Sequence, residues 1–91
     1  IVKLLIKNGA DVNKENNDDD TPLILSCREG YENTVNLLIK NGSDINKNNK
    51  DGDTPLIWAC KNGNEKIVKL LIENGADVSK ENENDDTPLI L

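Results

Sequence analysis

The sequence has no histidine, no methionine and no phenylalanine, and its only aromatic residues are Tyr31 and Trp58. Without histidine, the side chain best suited to proton transfer near neutral pH and a common metal ligand are both missing. With so few aromatics, Leu, Ile and Val must supply the large apolar volume, which predicts an aliphatic core. Cysteine is scarce as well. Cys27 and Cys60 are the only two, 33 positions apart and without C-x-x-C spacing, so no metal site is expected. Basic residues are outnumbered, 11 Lys and Arg against 17 Asp and Glu, for a net charge of −6. That balance disfavours nucleic acid, whose phosphates need a clustered cationic excess. No apolar run approaches the ~18 residues of a membrane-spanning helix, and no charged start followed by an apolar stretch looks like a signal peptide. These features predict a soluble, intracellular, cytoplasmic chain with no membrane partner.

What is present is repetition. Thr-Pro-Leu-Ile occurs at 21–24, 54–57 and 87–90, a spacing of 33 residues both times. Residues 21–53 and 54–86 share 17 identities in 33, and residues 1–20 match 67–86 at 16 of 20 positions. A period of this length marks a supersecondary unit that buries its apolar face only by stacking on neighbours. Stacking also lifts the limit on a 91-residue chain, whose single compact core would be marginal. The organisation read from this is one segment: 1–20 as the second half of a repeat, 21–53 and 54–86 as repeats, and 87–91 as the start of another. Cys27 and Cys60 fall at equivalent positions, so their separation should follow the helix packing distance of ~8–10 Å, too long for a disulfide.

Within residues 54–86, Thr54 is a good N-cap, Pro55 suits the first helical position, and Leu56 to Asn62 read as a short helix stopped by Gly63. A second helix is predicted from Glu65 to Asn74. Its Ile67, Val68, Leu70, Leu71 and Ile72 are apolar over more than half the circumference, so it must be covered on two sides. Gly75 suits a left-handed residue after the helix end, and a polar stretch then runs to the next Thr-Pro. The tip of that stretch is clearest at Asp51-Gly52-Asp53, a strong turn signal; Asp19 and Asp85 stand where Gly52 does, which predicts strained or differently built tips.

The combination of Thr54, Pro55, Leu56, Ala59, Gly63, Val68, Leu70, Leu71, Gly75, Ala76, Asp77 and Val78, with near-identical sets in the flanking units, resembles an ankyrin repeat array. The resemblance spans the chain. It implies an all-α ankyrin-repeat solenoid of stacked antiparallel helix pairs with protruding β-turn fingers. Two departures stand out. Ile24, Ile57 and Ile90 replace the histidine usual after Thr-Pro-Leu, exchanging a polar tether to neighbouring turns for apolar burial and putting turn rigidity in question. Thr34, where Ile1 and Ile67 stand elsewhere, should weaken one core layer.

By the same resemblance the chain is a non-catalytic protein–protein interaction module that binds a protein or peptide with its finger tips and the exposed side of each first helix. The positions implied are Asp18, Asp20, Asp51, Asp53, Asn84 and Asp86 on the fingers, and Leu25, Arg28, Glu29, Trp58, Lys61 and Asn62 on the helices. Trp58 is read either as a binding anchor or as filler of a seam between helices. The finger acids suit a basic partner, or simply form a solvated face that keeps the array soluble. Alternatives from other classes are an architectural spacer, and a non-catalytic part of an enzyme or channel whose active domain lies outside these residues.

Other motifs are weaker. Asp44, Asn46 and Asn48 resemble the start of a calcium loop, but Asn49 stands at its glycine position and no terminal glutamate follows. Asn41-Gly42-Ser43 is a formal glycosylation sequon placed at a helix end, where a capping role fits better. Asn13 and Asn46 match a family position that can be hydroxylated. No phosphate loop, activated nucleophile or cofactor motif is present, so no cofactor is expected. The outermost residues, Ile1, Val2, Leu4, Leu5 and Ile6 at one end and Leu89, Ile90 and Leu91 at the other, are apolar where terminal repeats are normally polar. This reads as a segment of a longer array, with a tendency to associate end to end.

Overall fold

The computed structural model describes residues 2–89; the expectations placed on Ile1, Ile90 and Leu91 lie outside them. Five helices follow in order, α1 (Val2–Lys7), α2 (Pro22–Glu29), α3 (Glu32–Lys40), α4 (Pro55–Lys61) and α5 (Glu65–Glu73), with no strand among the described residues. Helix α2 packs on α3 and α4, and α5 packs on α4 and α3. The chain is thus a row of helix pairs, elongated to 39 × 27 × 20 Å.

Local signals set the helix ends. Thr21 and Thr54 have extended backbones, and their hydroxyl oxygens accept from the N–H groups of Ile24 and Ile57, each at 3.2 Å. Pro22 and Pro55 occupy the first helical position, where a missing N–H costs nothing. Helices α4 and α5 each end one residue earlier than the sequence suggests, with Asn62 and Asn74 as C-caps. Gly75 follows at φ 96°, as its position required.

Leu23, Cys27, Val35, Leu38, Leu56, Ala59, Ile67 and Leu71 form the buried core, with Val2 and Ile6 of α1 packed against it. The core is aliphatic because the composition allows nothing else. Thr34 is only half-buried where Ile67 is fully enclosed, so that layer is the thinner one. Ile24 and Ile57, standing in for histidine, are completely buried.

Asparagine tethers the turns of neighbouring repeats. Asn13 donates from Nδ2 to the Gly42 carbonyl (3.2 Å), and its Oδ1 accepts from the Asp44 N–H (2.7 Å). Asn46 repeats both bonds with Gly75 and Asp77 at the same distances. Each asparagine pins the turn of the following repeat.

One helix start is incomplete. Asn64 caps α5 by accepting from the Ile67 N–H at 3.2 Å, whereas Tyr31, with nearly the same backbone (φ −82°, ψ 84° against φ −85°, ψ 92°), makes no side-chain cap to α3. Tyr31 is also largely exposed. Tyr31→Asn is therefore expected to stabilise the chain by about 1 kcal/mol, read as a higher urea midpoint with an unchanged slope. A lower midpoint would mean that the Tyr31 ring contributes more than the missing cap.

Candidate partner-binding face

Three fingers connect the helix pairs, and each is organised by one asparagine. Asn49 donates its N–H to the Asp53 carbonyl (3.0 Å) while the Gly52 N–H donates to the Asn49 carbonyl (3.0 Å), closing the tip. The Asn49 Oδ1 accepts from the N–H groups of Asp51 and Asp53, both at 3.0 Å. Asn16 and Asn82 hold the same pattern in their own fingers.

The tips are left-handed at Asp19 (φ 60°), Gly52 (φ 76°) and Asp85 (φ 61°). All three are built alike, and the strain expected of aspartate is accepted because the asparagine staple fixes the turn. Gly52 has a second reason to be glycine: a Cβ there would meet Asn82 Cα and the Glu83 nitrogen at 3.0 Å.

Adjacent fingers are joined. The Lys50 N–H donates to the Asp18 carbonyl (3.1 Å) and the Glu83 N–H to the Asp51 carbonyl (2.9 Å). Beneath these bonds, Asn49 Nδ2 donates to Asp20 Oδ1 and Asn82 Nδ2 to Asp53 Oδ1, both at 2.9 Å. This corrects the reading of Asp20 and Asp53 as exposed finger residues, since they are only 5 % and 4 % exposed. Their carboxylates turn inward because each has a donor on the next finger and a cation above it: Arg28 at 3.8 Å from Asp20 and Lys61 at 3.5 Å from Asp53. Asn62 is also drawn into the framework, donating from Nδ2 to the carbonyls of Arg28 (2.7 Å) and Cys27 (3.3 Å) at the end of α2.

The remaining positions do share a surface. Asp18, Asp51 and Asn84 are exposed on the fingers, and Asp86 is half-buried. On the helices Arg28, Glu29 and Lys61 are exposed and Leu25 is half-buried. Trp58 lies among them, half-buried, with Lys61 Nζ 4.7 Å and the Arg28 guanidinium 5.8 Å from its ring centre. Its Nε1 is enclosed and has no hydrogen-bond partner among the described residues. Trp58 thus fills the seam between α2 and α4 and presents a cation-flanked ring at the surface. The ion pairs over it are longer than the 2.7–2.9 Å of charge-assisted hydrogen bonds, so neither cation is tightly held.

The chemistry of the cysteines is inert. Burial pushes the Cys27 thiol up to about 12 and also raises that of Cys60, so neither is a thiolate at neutral pH. Asp77 is held below the usual carboxylate range, first by the Ser79 N–H and then by the Ser79 hydroxyl. The supposed calcium residues are spent on turns: Asp44 Oδ1 accepts from the Asn46 N–H, and Asn46 pins Gly75 and Asp77. Asn41 caps α3 and donates from Nδ2 to the Leu37 carbonyl at 2.8 Å. A groove of about 550 Å³ lies away from this face, beside Cys60, Val68, Ile72 and Pro88.

Sequence reading missed the roles of Asn16, Asn49 and Asn82. Their signal was available, since asparagine stands at that position in all three units.

Helix pairs stacked at a fixed period, joined by asparagine-stapled fingers, define a repeat protein. The chain belongs to the ankyrin repeat family: the family model for ankyrin repeats, in three copies, matches residues 1–82. The search of curated proteins returned no significant match. No helix among the described residues is long and apolar enough to cross a membrane.

Proposed function

We propose that this chain binds a partner protein or peptide through the surface formed by α2, α4 and the finger tips. Ankyrin repeats are generally non-catalytic protein-interaction modules, which sets the class. The observation that carries the placement is Trp58, an aromatic ring flanked by the loosely held cations Arg28 and Lys61. Tryptophan and arginine are the residues most enriched among binding hot spots. The surrounding framework is cross-linked by Asn49, Asn62 and Asn82, so little ordering entropy is lost on association.

The finger ridge remains acidic after Asp20 and Asp53 are set aside. Asp18, Asp19, Asp51, Glu83 and Asp85 are exposed there, against Lys50 alone among the tip residues. A partner that lays basic side chains along the fingers fits that ridge, and its affinity falls with salt.

Trp58→Leu installs the residue found at the equivalent position 25, so packing is largely kept. It is expected to weaken partner binding by about 30-fold, the equivalent of ~2 kcal/mol, while thermal stability changes little. The check is affinity capture with the native chain and the variant side by side, quantified by mass spectrometry. If both retain the same proteins equally, Trp58 is not the anchor; if the native chain retains none, the chain is better read as a spacer.

A further inference from the structure

Arg28 and Lys61 carry donors for which the chain itself supplies no close acceptor. The Arg28 guanidinium lies 3.8 Å from Asp20 through Nη1 and 3.7 Å from Glu29 through Nε, and Lys61 Nζ lies 3.5 Å from Asp53. Neither cation makes a charge-assisted hydrogen bond of ordinary length among the described residues, although a guanidinium has five N–H groups and an ammonium three.

The acids beneath them are engaged elsewhere. Asp20 and Asp53 are buried and take their hydrogen bonds from Asn49 and Asn82, both at 2.9 Å. They hold the two cations at the mouth of the seam between α2 and α4 without saturating them. Above that layer, the exposed charges beside Trp58 are Arg28, Lys61 and Glu29, a local positive excess on a chain of net charge −6. The Trp58 ring, 4.7 Å from Lys61 Nζ and 5.8 Å from the guanidinium, keeps water from one side of each cation. A hydrogen bond made against such an apolar wall is stronger than one in open water.

Building on the binding face proposed above, we infer that the bound segment places a carboxylate here: an Asp or Glu side chain that accepts from the Arg28 guanidinium, with Lys61 beside it and Trp58 as its wall. Arginine suits this role better than lysine, because its planar fork gives a carboxylate two parallel bonds. The finger ridge takes basic side chains, so the segment that fits both is bipolar, acidic over the helices and basic along the fingers. Unlike charges at its two ends fix the direction in which it lies.

The test is selection of a random peptide library, displayed on phage, against the native chain, followed by affinity measurements with the selected peptides made synthetically. The selected peptides are expected to share an Asp or Glu whose replacement by Asn or Gln weakens binding by about 10-fold. On Arg28→Gln that preference for acid over amide should largely vanish. Circular dichroism checks folding, and Arg28→Lys, which keeps a charge above Asp20 and should retain only part of the preference, serves if Arg28→Gln unfolds. Peptides that lose affinity on Trp58→Leu yet bind equally well as acid or amide overturn the carboxylate and leave the binding face standing. So does an acid preference that survives in full on both Arg28→Gln and Lys61→Gln. Peptides indifferent to Trp58→Leu overturn the face and the carboxylate together, as does a library from which nothing is enriched.

Discussion

Replacing Asn49 with leucine is expected to cost about 3–5 kcal/mol of stability, the range for breaking a buried polar pair that includes a charge. The shape of the side chain is nearly preserved, so the loss is electrical. Three groups are stranded together: the N–H groups of Asp51 and Asp53, which lose their common acceptor, and the Asp20 carboxylate, which loses its 2.9 Å donor. Asp20 is then left with Arg28 at 3.8 Å in a position 5 % exposed. Asn16→Leu removes the same acceptor from the N–H groups of Asp18 and Asp20, but Asn16 is exposed and water can take its place. That change should cost about 1 kcal/mol. Urea unfolding of the two variants settles the matter. Equal costs would mean that the staple within a finger matters and the bond between fingers does not.

Leu71→Ala is expected to destabilise by about 2–5 kcal/mol, because it opens a cavity beside a side chain with no solvent exposure. Leu5→Ala, the same letter in the same motif, should cost less than about 1 kcal/mol, since Leu5 is 55 % exposed before the change. Chemical denaturation measures both. Similar costs for the two variants in dilute solution would show that the end of the stack is as well packed as its middle.

These pairs mark what a repeating sequence conveys. The helices were legible because their signals are local: Thr and Pro at each first-helix start, glycine after each second helix, apolar residues at helical spacing. The stacking was legible because the period is fixed and no single unit can bury its own apolar face. The finger turns were half legible. Asp51-Gly52-Asp53 announced a tip, but Asp19 and Asp85 adopt the same left-handed backbone, since the asparagine three residues earlier accepts from the N–H groups on either side and holds the turn.

The candidate site was less legible. Asp18 and Asp20 are both acids on a finger, yet one faces solvent and the other is buried under Arg28 with Asn49 as its donor. That donor comes from 29 residues further along the chain. Asn62 is exposed at a helix end yet tied by its amide to the end of α2, and Trp58 is half-buried, its ring flanked by Arg28 of α2 and Lys61 of its own helix. The sequence by itself determined the elements, their period and the family, because caps, turns and apolar spacing act over a few residues. Only the tertiary structure decided which polar groups remain free for a partner, because that depends on which donor stands opposite each carboxylate once the repeats are stacked.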